Sequence, residues 1–128
     1  ASDVYKRQAV DALVYQQGMA EKYLWNCIFG LLCQAKGSTV GEVVSHHYSD
    51  YEMLCNELGA LTERGLGISL KPGWIERLAA YSNSISAYRG AVKEWPWRNG
   101  WVWSVAQSPL HRTWLQLANV DIPNSIRQ

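Results

Sequence analysis

Residues 21–37 read Glu-Lys-Tyr-Leu-Trp-Asn-Cys-Ile-Phe-Gly-Leu-Leu-Cys-Gln-Ala-Lys-Gly, and their periodicity decides the fold class. Leu24, Ile28, Leu31 and Ala35 recur at i, i+4, i+7 and i+11, the spacing that stacks apolar side chains on one face of an α-helix. Lys22 and Asn26 are one turn apart and share a different face. Gly37 is placed to end the helix just past Lys36. Traced backwards, the helical pattern reaches Ala9, with Gly18 marking a kink or a break. The apolar run Tyr23–Ala35 is interrupted by Asn26 and Gln34 and falls short of the roughly 20 apolar residues that span a bilayer.

Beyond this segment the chain continues in helices. Ser49-Asp50-Tyr51-Glu52 has the spacing of a capping box, with Leu54, Leu58 and Leu61 on the face that follows and Gly65 and Gly67 to stop it. Lys71-Pro72-Gly73 opens a third helix with Trp74, Leu78, Tyr81 and Ile85 as its inner face. Pro96 breaks the chain, Asn99-Gly100 starts a short helix through Trp103 to Gln107, and Pro109–Leu117 forms the last, before a loop-like tail from Asp121. Val40–Val44 is the one candidate strand, weakened by Gly41 and Glu42. The expected fold is a single all-α domain of five or six helices.

Composition narrows the function classes. Apolar residues make up 48% of the chain and seven residues are Trp, which marks a folding sequence. The net charge is +1 with basic residues scattered, so neither a nucleic-acid stripe nor a membrane-binding patch is expected. The three cysteines, Cys27, Cys33 and Cys55, have no C-x-x-C spacing, which fits free thiols in a reducing compartment such as the cytoplasm. Gly65-Leu66-Gly67 is no dinucleotide fingerprint, because Leu70 occupies the third glycine's place and a helix precedes it. His46-His47 has no second ligand pair at a known metal spacing, so no metal is expected. Four tryptophans lie between Trp95 and Trp103, a cluster suited to a core or a wall between domains.

Residues 1–8, Ala-Ser-Asp-Val-Tyr-Lys-Arg-Gln, resemble the translation of a transposon-end sequencing adapter, so the natural sequence is expected to begin near Ala9. The segment Ala20–Cys27 resembles the C-terminal domain of ketopantoate reductases (2-dehydropantoate 2-reductases), whose helix reads W-x-K-L-x-x-N-x-x-x-N; Lys22 and Asn26 fall in register. Gly41-Glu42-Val43 stands where that family has a Gly-Glu-Leu turn, Glu63–Ile68 where a helix ends before Gly-Ile, and Glu94 five residues before Asn99-Gly100. Two departures stand out. Gly30 replaces the family's second asparagine, and its carboxylate-binding serine aligns with either Ser82 or Ser84.

The resemblance implies an NADPH-dependent reductase of pantothenate biosynthesis, related in fold to 6-phosphogluconate dehydrogenase-like proteins. Residues 9–128 would supply its helical substrate domain. A preceding Rossmann domain, absent from this chain, would bind NADP, and the chain alone would be inactive. Hydride addition to a 2-keto acid makes an alkoxide that needs a proton and electrostatic support, and an ammonium in a water-poor cleft supplies both. By the resemblance, Lys22 is the general acid and Asn26 binds the substrate. Ser82 or Ser84 holds the carboxylate, and Glu94 contacts a substrate hydroxyl or the nicotinamide ribose and orients Lys22. The competing class is a helical interaction or homodimerisation module without catalysis.

Overall fold

The computed structural model describes residues 2–123. Six α-helices follow in order: α1 Ser2–Lys36, α2 Val40–His46, α3 Tyr48–Leu66, α4 Trp74–Ser84, α5 Asn99–Val105 and α6 Pro109–Leu117, with a 3-10 turn at Trp95–Trp97. No strand occurs among the described residues, and they form one all-α domain. No helix there is long and apolar enough to cross a membrane.

The axis of the domain is the second half of α1. Every residue from Cys27 to Cys33 is buried, so this stretch is apolar all round, as a helix surrounded by others must be. Leu24, Ile28 and Leu31 are fully buried, as the stripe requires, and Ala35 half-buried. Helices α2, α3, α4 and α6 pack around it. The first half of α1 has no such jacket: Val10, Leu13, Val14 and Tyr15 are all exposed. Gly18 does not break α1: the helix runs through it, with open space where a Cβ would stand.

The turn chemistry differs from the sequence expectation at α2 and α3. The capping box is Thr39–Glu42: the Glu42 amide donates to Thr39 Oγ1 (3.1 Å) and the Thr39 amide to Glu42 Oε1 (2.9 Å). That box turns Val40–Val44, the candidate strand, and Gly41-Glu42-Val43, the expected turn, into helix. Ser49 lies inside α3, whose N-cap is His47 with no side-chain cap. The chain leaves α2 and enters α3 through that single residue, so the helix starts before Ser49 can cap it. At the other end of α3, Gly65 remains helical and only Gly67 stops the helix, at φ 68° with its amide donating to the Glu63 carbonyl.

The α4–α5 connection is seated by backbone contact. The amides of Val40 and Gly41 donate to the carbonyls of Tyr88 and Ser86, and the Val92 amide donates to Gln34 Oε1. The connection then crosses α1 at Gly30, where a Cβ would lie 2.6 Å from the Ala91 carbonyl oxygen. Any side chain at position 30 would therefore collide with this crossing.

Helix α6 is capped from outside. Glu57 of α3 accepts hydrogen bonds from Ser108 Oγ (2.7 Å) and from the amides of Leu110 (3.1 Å) and His111 (2.7 Å). A carboxylate there also suits the positive end of the helix dipole. His111 is fully buried, meets Asn99 Nδ2 at 3.1 Å, and Asn99 reaches on to the Cys27 carbonyl. Burial lowers the His111 pKa to about 4, so the imidazole is neutral at pH 7.

Candidate functional site

Lys22 and Asn26 project from α1 into one hollow of about 530 Å³, whose other walls include Gly18, Trp25, Arg77 and Tyr81. The opposite wall is α4, which puts Tyr81 within reach because that residue is 53% exposed and not on the inner face. Of the expected inner face, Leu78 is buried and Trp74 and Ile85 pack half-buried against the core; only Tyr81 turns outward, and Ala79 and Ser82 are buried beside Leu78.

Asn26 donates through Nδ2 to the Lys22 carbonyl (3.0 Å), which fixes its amide and turns Oδ1 away from the helix backbone as an acceptor. Arg77 grips Glu21 at two points, Nη2–Oε2 2.8 Å and Nε–Oε1 3.2 Å, and also donates to the carbonyls of Lys71 and Pro72. The Glu21 hydrogen bond pushes the Arg77 pKa up. Arg77 and Glu21 thus neutralise each other. Among the described residues no carboxylate pairs with Lys22, so the hollow keeps one uncompensated positive charge on its α1 wall. This arrangement suits a small anion with a hydrogen-bonding neighbour group.

The remaining candidates fall elsewhere. Ser82 is fully buried, and its Oγ accepts the Trp25 indole N–H (2.9 Å); it holds Trp25 in the wall of the hollow from behind. Ser84 is exposed and donates to the Tyr81 carbonyl, and it does not line the hollow. Glu94 lines a separate hollow with Gln34, Val92 and Asn119, and its carboxylate sits 3.6 Å from Arg98. The expected contact of Glu94 with Lys22 is not made among the described residues. The reason is local: Glu94 has left-handed backbone, φ 50°, at the entry to the Trp-Pro-Trp turn, and that turn carries it toward the Gln34 side of α1.

Arg77 and Trp25 are wall residues that the sequence did not single out, and Tyr81, expected on the inner face of its helix, lines the hollow instead. A lone Arg on an exposed helix carries no local signal. The one usable hint was the Lys71-Pro72-Gly73 turn, whose carbonyls hold the Arg77 guanidinium. No group of three His, Cys, Asp or Glu side chains is gathered among the described residues in the way a metal ion would need. No family model matches this chain, and neither the curated proteins nor the solved structures give a match.

Proposed function

We propose that this chain is the substrate-binding domain of an NADPH-dependent 2-keto acid reductase of the ketopantoate reductase type. The observation that supports it best is the pairing of an uncompensated ammonium, Lys22, with the fixed amide of Asn26 in one hollow. Lys22 attracts the anionic keto acid and passes a proton to its C2 oxygen as charge develops there. Asn26 holds the same substrate in register, and Trp25, fixed from behind by Ser82, forms the wall against which it is oriented. Glu94 stands outside this hollow, so the chemistry rests on Lys22 and Asn26.

NADPH would supply the hydride, but the described residues do not fit its phosphates. The Gly65-Leu66-Gly67 stretch lies at the C-terminal end of a helix instead of opening one. On this reading a separate domain would hold the nucleotide. The test joins residues 9–128 to the coding sequence that precedes them in the gene and follows NADPH oxidation with 2-keto acids. Lys22→Ala should lower kcat by roughly 10²–10⁴-fold. An unchanged kcat removes Lys22 from the chemistry, and an upstream sequence without a strand followed by G-x-G-x-x-G removes the reductase reading itself.

One observation favours the second class, an interaction module. Val10, Leu13, Val14 and Tyr15 leave the first half of α1 with an exposed apolar surface. Sedimentation of the chain before and after Leu13→Glu and Val14→Lys separates the readings, because a module that self-associates through this face loses its dimer.

A further inference from the structure

Tyr15, Met19, Lys22 and Asn26 follow one another on α1 at i, i+4, i+7 and i+11 and so form one continuous stripe. The Lys22–Asn26 end of that stripe lies in the hollow described above. The Tyr15–Met19 end opens into a different one, of about 370 Å³, walled further by Tyr23, Leu66, Trp97 and Trp101. The second hollow is apolar and aromatic on nearly every side and lies within the size range of small-molecule sites.

Its walls are held in place by bonds made elsewhere. Tyr23 donates its hydroxyl to the Arg98 carbonyl (2.5 Å) and accepts from the Val102 amide (3.2 Å), so its polar end is consumed inside the fold. Trp101 stands edge-on to Tyr23, ring centres 5.4 Å apart, and lies so close to Gly65 that a Cβ there would be 2.7 Å from the indole. Gln17 ties α1 to the Ser69 carbonyl beside the hollow's Ile68. Trp97 is 77% exposed, yet it sits on a turn anchored by Pro96 and by its amide's hydrogen bond to the Glu94 carbonyl. A large apolar ring kept in water on a fixed backbone is a prepared stacking surface.

We infer that the substrate is a 2-keto acid with an aromatic side chain, whose ring enters the Met19–Trp97 hollow while its keto acid head meets Lys22 and Asn26. This rests on the reductase reading and adds the side chain to it. Met19 and Lys22 are three residues apart, about 4.5 Å along the helix axis. Each of the two lines one of the hollows, and side chains at i and i+3 are neighbours on a helix, so this pair stands between the two. A short aliphatic keto acid would leave the aromatic walls unused, and a charged side chain would meet almost no polar group there.

The experiment titrates the chain as it stands with phenylpyruvate, pyruvate and benzyl alcohol, reading amide chemical shifts. Phenylpyruvate should bind at least about tenfold more tightly than pyruvate, as burial of a ring predicts. Trp97→Ala and Met19→Ala, both at exposed positions, should each abolish that advantage and leave pyruvate unchanged, whereas Lys22→Ala should weaken both acids. A phenylpyruvate-to-pyruvate ratio near one, with Lys22 dependence intact, overturns the inference and leaves the keto acid reading standing. Benzyl alcohol lost on Trp97→Ala, with neither acid sensitive to Lys22, overturns the inference together with the reading beneath it. Failure of both acids to bind does the same.

Discussion

Gly30 and Gly18 both lie in the interior of α1, and the same substitution should act oppositely at the two sites. Gly→Ala inside a helix gains about 1 kcal/mol from propensity alone. At Gly18 a Cβ meets nothing within 4 Å, so Gly18→Ala should stabilise the domain by about 0.5–1 kcal/mol. At Gly30 the Cβ would stand 2.6 Å from the Ala91 oxygen and 3.2 Å from the Ala91 carbonyl carbon, both backbone atoms. The crossing segment cannot swing away freely, because Gln34 holds Val92 and the Ser86 and Tyr88 carbonyls are bonded to α2. Overpacking of this kind costs about 1–3 kcal/mol. The propensity gain is common to both variants, so the difference between them isolates the overlap. Gly30→Ala should unfold about 1–3 kcal/mol more easily than Gly18→Ala, or several degrees lower in Tm for a domain of this size. Urea melts of the two variants beside the parent chain measure it directly. Equal shifts would show that the 90–92 segment does not lie against Gly30.

His111 gives a pH test. The unfolded imidazole takes its proton near pH 6.5 and the folded one only near 4, so the unfolded state holds more protons between those values. Stability should fall as pH is lowered through that window, by about 3 kcal/mol in all, and level off below it; His111→Gln should flatten this component of the urea midpoint's pH dependence. Tyr23→Phe strips a donor from the Arg98 carbonyl and an acceptor from the first-turn amide of Val102, and should cost about 1–3 kcal/mol in a thermal melt. Ser82→Ala should destabilise by about 1–2 kcal/mol by stranding the Trp25 N–H, and pyruvate affinity should change less than with Lys22→Ala; an affinity loss without a stability loss would restore Ser82 as a substrate contact.

The helices were legible where a long periodic stripe or a Pro–Gly turn announced them. Leu24, Ile28 and Leu31 are all at the centre of the core, and Pro109 does begin α6. Capping was not legible, because two boxes compete in the sequence: Thr39–Glu42 and Ser49–Glu52 have the same form, and only the chain's path into α3 decides that the first one operates. Helical spacing put Lys22 and Asn26 on one face, and the resemblance singled them out as a site. Arg77 and Tyr81 could not be joined to it, since they arrive from a helix 50 residues onward through tertiary packing. Glu94 was read by its distance from Asn99-Gly100, a measure along the chain that says nothing about which side of α1 a left-handed residue will leave it on.

The three cysteines carry a consequence of their own. Cys27 and Cys55 lie in the core with burial raising each thiol to about 12, and Cys33 is buried and shifted the same way. Alkylating reagents attack the thiolate, so the native chain is silent to them at neutral pH. Each modification then records an opening event, and because the three report from α1 and α3, their relative rates would show whether the two central helices separate together or one at a time.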